Sequence, residues 1–247
     1  MMRFEWGETG ELFPLREGPS ETAPENQAIP QEMSEFMRYA AEQPQEDIRI
    51  SEGGFSQEGR FIPGRVEWID AEAAEFDPEL QALSEELDSW FQQSERMSCA
   101  VADQTMVLNQ LTHEGYTEQQ MLDIGREKGW YNEGTYPKDV GKIAEYMGMD
   151  VEQHHGVAAA ELDIANDPEL KVLANVDSAL LQYPGAFKRC QPDHCVQVLR
   201  VDDTAEGKMV ILNDPGHADG KGVVYPLEVF ERAYRGDITT IRKAEMA

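Results

Sequence analysis

The feature that most constrains the fold is a change of hydrophobic period partway along the 247-residue chain. From about residue 76 to 148 apolar residues recur at helical spacing. From about residue 170 they fall in short runs of Val, Ile and Leu bounded by turn residues. In FDPELQALSEELDSWF, Asp77 suits an N-cap and Pro78 the first helical position, ahead of Leu80, Leu83, Leu87, Trp90 and Phe91 on one face. A second helix is expected from about Cys99, with Val101, Val107, Leu108 and Leu111 as its apolar side. A third starts at Thr117, which forms a capping box with Gln120, and a fourth runs from Pro137 to Gly148. LKVLANVDSALL, HCVQVLRVD, KMVILND and GVVYPL then read as strands, with DDTAEGK as a hairpin loop. PLEVFERAYRG reads as a short helix and DITTIRKA as a last strand. Helices first and antiparallel strands afterwards predict an α+β domain over residues 76–247, without internal repeat.

Residues 1–75 differ in kind. Stretches such as PSETAPENQAIPQE and AEQPQED are rich in Pro, Glu, Gln and Ser, and composition of this type buries little apolar surface. An acidic, partly disordered N-terminal arm is expected there, with MSEFMRYAA and FIPGRVEWI as a possible short helix and strand. A basic protein is the partner such an arm would take, and it could lie over a cleft as a propeptide does. The whole chain carries a formal net charge of −27, which opposes binding to nucleic acid or an anionic membrane. No apolar stretch reaches the length of a membrane-spanning helix, and the start lacks a basic flank followed by an apolar run, so a cytoplasmic protein is expected.

Three cysteines, Cys99, Cys190 and Cys195, are too few and too unevenly spaced for a disulfide framework. Cys190, His194 and Cys195 have no second ligand pair to answer them, so no metal site is expected. Taken singly, a cysteine in an apolar helix is a small hydrophobe, a strand histidine is structural, and Asp before Pro forms a turn. Their arrangement says more. Cys99 stands where a helix starts, and the positive end of the helix dipole favours a thiolate. His194 heads one strand, and Asp214 ends the next after a hairpin, which brings the two ends together. Asp214 could then fix the imidazole tautomer while the other ring nitrogen faces the thiol. Alternation along the strand lets only one of Asn213 and Asp214 point at His194. Alternation also turns Cys195 away into the core.

Helix-borne Cys99, then His194 and Asp214 on consecutive strands, resembles the papain-like cysteine peptidases. More narrowly, it resembles the branch of bacteriocin-processing, double-glycine leader peptidases and their stand-alone relatives. WFQQSERMSCAVADQTMVLNQ, GWYNEGTYPKDVGKIAEYMG, VLANVDSALL, HCVQVLRVD and VILNDPGHADGKGVVYPLEVFERAY carry the likeness, over most of residues 90–235. The resemblance implies a nucleophile helix packed on a C-terminal antiparallel sheet, a peptide or protein substrate and no cofactor. It implies Asp214 as third member, from the Asp214-Pro215 step, and Gln93, six residues before Cys99, as an oxyanion donor, with Gln92 as the fallback. Ser98-Cys99-Ala100 departs from the Asp-Cys-Gly of bacteriocin-processing members, so double-glycine specificity does not carry over. His217, in a glycine-rich loop, reads as a turn residue, and His154 and His155 read as surface residues. Trp130, Tyr131 and Tyr225 read as packing residues, and Asp202 and Asp203 as solvated hairpin residues.

Overall fold

A computed structural model describes residues 47–186, 192–204 and 207–244. The predicted helix MSEFMRYAA and Cys190 lie outside them. The strands are β1 (Ile48–Ser51), β2 (Gly54–Phe55), β3 (Phe61–Ile62), β4 (Gly64–Ile69), β5 (Met149–His155), β6 (Lys171–Val176), β7 (His194–Thr204), β8 (Gly207–Asn213), β9 (Val223–Pro226) and β10 (Tyr234–Lys243). The helices are α1 (Ala71–Phe76), α2 (Pro78–Asp88), α3 (Cys99–Thr112), α4 (Glu118–Lys128), α5 (Lys142–Tyr146), α6 (Ser178–Gln182) and α7 (Leu227–Ala233), with 3-10 turns at Pro137–Asp139 and Ala159–Asn166. Eight strands form one antiparallel sheet in the order β1-β4-β9-β8-β7-β6-β10-β5, and β2 pairs with β3 separately. The fold is α+β, with helices packed on an antiparallel sheet.

The sheet buries both faces, which explains the near-continuous apolar runs in its central strands. On one face Ala100, Val101, Val107 and Leu108 of α3 pack with Leu173 of β6, Cys195 of β7 and Ile241 of β10. Beside them Leu80, Leu83 and Leu87 of α2 meet Leu199, Ile211 and Val224. On the other face Val172, Val196 and Val198 pack under Leu180, Val229 and Phe230. Helix α3 is covered almost all round; from Ala100 to Leu108 every residue is buried. Two of its buried polar members are satisfied internally: Gln104 accepts from the N–H groups of Ile143 and Ala144, and Gln110 exchanges amide hydrogen bonds with Gln197 of β7.

Several elements differ from expectation for local reasons. Residues 47–75, expected in an arm outside the domain, supply its edge: β1 pairs with β4, and β4 with β9, burying Ile48 and Ile50. The helix expected over 137–148 breaks at Gly141, whose φ of 92° admits Gly alone without strain and whose missing side chain makes room for Val151. LKVLANVDSALL is a strand followed by a helix, because Asp177 turns the chain and accepts from the N–H of Ala179. Asp202, expected in a solvated hairpin, is buried in β7 against the Nε of Arg200 at 2.7 Å. Among the described residues no helix is long and apolar enough to cross a membrane.

Candidate active site

The segment before α3 is held rigidly. Buried Glu118, at the start of α4, accepts from the Ser98 hydroxyl at 2.6 Å and from the N–H of Ser94 at 2.8 Å. Glu95 accepts from the Tyr131 hydroxyl and pairs with Arg126. Ser98, the N-cap, therefore makes no side-chain cap bond to its own helix. Cys99 begins α3 half-exposed, and the backbone N–H groups of Cys195 and Ala100 are directed at its sulfur.

His194 opens β7, with its side chain 10% exposed. Its Nε2 lies 2.7 Å from Oδ1 of Asp214, and its ring faces the Cys99 thiol. Since Nε2 is taken by the carboxylate, Nδ1 is the nitrogen left for sulfur. The same Asp214 oxygen accepts from the N–H of Gly216 at 2.8 Å, and the backbone oxygen of Asp214 accepts from Nε1 of Trp90. Asn213 points the other way: its amide donates to Glu86 O and accepts from the Gly222 N–H. The alternation left open in the sequence resolves to Asp214.

These groups move one another's proton affinities. Burial disfavours the Cys99 thiolate, but the hydrogen bond and positive charge of His194 outweigh it, and the thiol sits below its ordinary pKa. Burial alone would depress His194, yet the charge and hydrogen bond of Asp214, with a further contribution from Cys99, hold it well above the usual imidazole range. Burial would raise Asp214, and the His194 charge more than offsets this, leaving it low. The set favours a thiolate beside an imidazolium.

Gln93 is adjacent but differently engaged. Its backbone N–H donates to Pro215 O. Its Nε2 donates to the carbonyls of Glu95 and Arg96, at 2.7 and 2.9 Å, and its Oε1 is buried without a partner. The amide thus braces the loop that leads into Cys99. Beside this loop lies an open hollow of about 540 Å³ lined by Glu95, Arg96, Met97, Tyr131, Asn132 and Glu133, among others.

Other expected bystanders stand apart from this cluster. His217 is exposed and meets the amide of Gln182. His154 and His155, on β5, meet Thr240 and Asp237. Among the described residues no group of three or more His, Cys, Asp or Glu could hold a metal ion. Trp90, which sequence reasoning placed only on the packing face of a helix, lies instead at the Asp214 backbone, past the end of α2. Asp103, one turn along α3 from Cys99, was also missed. It is 0% exposed, its two carboxyl oxygens have no hydrogen-bond partner of good geometry, and the Cys195 thiol faces it. An acidic residue four positions after Cys99, inside an apolar run, was the signal available in the sequence.

No protein-family model matches the chain, and no curated protein matches it by sequence. Solved structures do resemble it. One is a double-glycine-motif protease from an AMS/PCAT transporter, solved with its leader peptide; identity is 18% and the TM-score 0.45, over 63% of this chain and 91% of that one. Another is the peptidase domain of Streptococcus ComA, a bifunctional ABC transporter of a quorum-sensing pathway, with 16% identity and a TM-score of 0.46, over 63% of this chain and 98% of that one.

Proposed function

We propose that this protein is a cysteine peptidase-like hydrolase that cleaves an amide or peptide bond by acyl transfer through Cys99. The observation that carries this reading is the His194 ring, held through Nε2 by Asp214 at 2.7 Å and facing the Cys99 thiol. The Cys99 thiolate attacks the carbonyl carbon, and the C=O electron pair moves to oxygen. Collapse of the tetrahedral intermediate breaks the C–N bond as His194 protonates the leaving amine. Water, deprotonated by the now neutral His194, then displaces the thiolate from the thioester. The N–H of Cys99 is one donor for the oxyanion. Gln93 serves as the other once substrate displaces one of its two loop carbonyls, so Gln93→Ala lowers turnover about 10²–10³-fold. The hollow beside Met97 and Tyr131 is where a substrate side chain next to the scissile bond would rest. Substrates are peptides or proteins.

The test is mass spectrometry of a peptide and protein mixture after incubation with native protein or Cys99→Ala. New N-termini formed only by the native chain support hydrolysis. A gain of about one dalton at glutamine without chain cleavage would replace it with deamidation, since water then takes the place of ammonia rather than of a peptide amine. An unchanged mixture in both arms contradicts the catalytic reading.

A further inference from the structure

Among the described residues, buried acids have partners, with one exception. Glu86 pairs with Lys171, Asp177 with Arg235, Asp202 with Arg200 and Asp214 with His194, while Glu118 accepts from Ser98 and Ser94. Asp103 is as deeply buried as any of them and has no cation and no well-formed hydrogen bond. A buried carboxylate in that position is costly, and an apolar residue of similar size would pack α3 against the sheet without the cost. Its neighbours are not random. The titratable groups facing it are Cys99 on its own helix, His194 and Cys195 from β7, and Asp214 beyond the end of β8. Cys99 and Asp103 are four residues apart on one helix, so their side chains share a face about 5–6 Å apart.

We propose that Asp103 is a positioning residue for the reaction: its carboxyl group, carried uncharged one turn beneath Cys99, lets the thiolate–imidazolium pair form, and its ionisation suppresses that pair. This rests on the reading of Cys99 and His194 as the catalytic pair. A negative charge at Asp103 opposes the thiolate and favours the imidazolium. Cys99 is the more strongly coupled of the two, so the net effect is suppression. Two like charges at this separation, in a medium of intermediate dielectric, change the thiolate population by on the order of a hundredfold. Burial foremost, and then the Cys99 charge, hold the carboxyl's proton affinity well above the ordinary carboxylate range, which leaves the pair intact over pH values at which an ordinary carboxylate is ionised. The Cys195 thiol, itself pushed up first by burial and then by Asp103, stays protonated and can donate to Asp103 without adding charge. The arrangement places a limit on activity from the alkaline side that His194 alone would not set.

The experiment uses the full chain and iodoacetamide as probe. The alkylation rate of Cys99, located by peptide mapping, is followed from about pH 6 to about pH 9 in native protein, Asp103→Asn and Asp103→Leu. The ratio of variant to native rate is expected to climb with pH by on the order of tenfold to a hundredfold as the native carboxyl ionises. Infrared difference spectra of native protein against Asp103→Asn should show a protonated-carboxyl band that fades over the same interval. A ratio that stays flat with pH, or a carboxyl band absent throughout, overturns the proposal. Should neither variant fold, native protein against Cys99→Ser decides it. Removing the thiolate charge must shift the carboxyl band to lower pH, and an unmoved band overturns the proposal. Fast, His194-dependent labelling of Cys99 with a flat ratio removes only the role of Asp103. Slow labelling of native Cys99 at every pH removes the catalytic pair itself.

Discussion

At the scale of single residues, the site depends on how tightly the imidazole is confined. A Cβ built on Gly216 would lie 2.8 Å from Cε1 of His194 and 3.1 Å from Oδ1 of Asp214. Gly216→Ala therefore pushes the ring out of line. Turnover should fall by about a hundredfold with little change in melting temperature, because a displacement near 1 Å has that effect on reacting groups. Asp214→Ala acts on charge as well as position. Asp214 raises the His194 pKa, so its loss lowers the upper bound of the pH range in which thiolate and imidazolium coexist. A pH–rate profile of that variant should have its alkaline limb moved toward acid, and an unmoved limb would mean that Asp214 does not govern His194. Helix start, strand start and strand end are visible as changes of hydrophobic period, which placed Cys99, His194 and the Asn213–Asp214 pair at the ends of their elements; the preference for Asp214 came from the resemblance. Sequence did not reach the bracing of Gln93 by the Glu95 and Arg96 carbonyls or the isolation of Asp103, since both depend on which atoms converge in space.

Among the elements, α3 carries Cys99 and also lies in the core. Met106 is 0% exposed on it, so Met106→Ala should cost about 2–5 kcal/mol, measured by denaturant unfolding. Asp77 is different in kind. Its carboxylate accepts from the N–H groups of Glu79 and Leu80 at the exposed start of α2, and Asp77→Ala should cost only about 1 kcal/mol. That cap, and the Thr117–Gln120 box of α4, were legible because capping is local chemistry. Strand β5 was not. MDVEQHH is polar and mostly exposed, at the sheet edge beyond β10, with only Met149 and Val151 packed on the core besides its hydrogen bonds. The split of 170–181 into strand and helix turned on one residue, Asp177, whose capping bond outweighs the run of apolar side chains on either side.

For the molecule as a whole, the edge made by β1 and β4 determines where the domain begins. Deleting residues 1–70 strips both strands and uncovers Leu80, Leu83 and Val224, so strong destabilisation is expected, whereas deleting 1–46 leaves the described sheet complete. A regulatory role for the acidic segment before residue 47 remains a proposal, and unchanged activity after the shorter deletion would end it. Helix α2 is tied to the sheet by Lys171 of β6, which donates to buried Glu86 of α2 at 2.7 Å. Desolvation lifts Glu86 to about 7 against the pull of Lys171. Its folded pKa is raised, so ionising it costs native stability as pH climbs from the unfolded value through about 7. Lys171→Met should cost about 3–5 kcal/mol in thermal unfolding above that pH and less below it, where Glu86 is protonated. Glu86→Leu combined with Lys171→Met should regain most of the loss.

The claim on which the rest depends is that Cys99 and His194 act as one unit. It is tested most directly by brief exposure to limiting iodoacetamide near pH 6, with peptide mapping of native protein and His194→Ala. An ordinary thiol is almost wholly protonated there. Cys99 is predicted to label far faster than Cys195 in the native chain and to slow by at least about tenfold when His194 is lost. Equal, slow labelling of the two cysteines, unchanged by His194→Ala, would contradict the account and leave the α+β fold without the proposed chemistry.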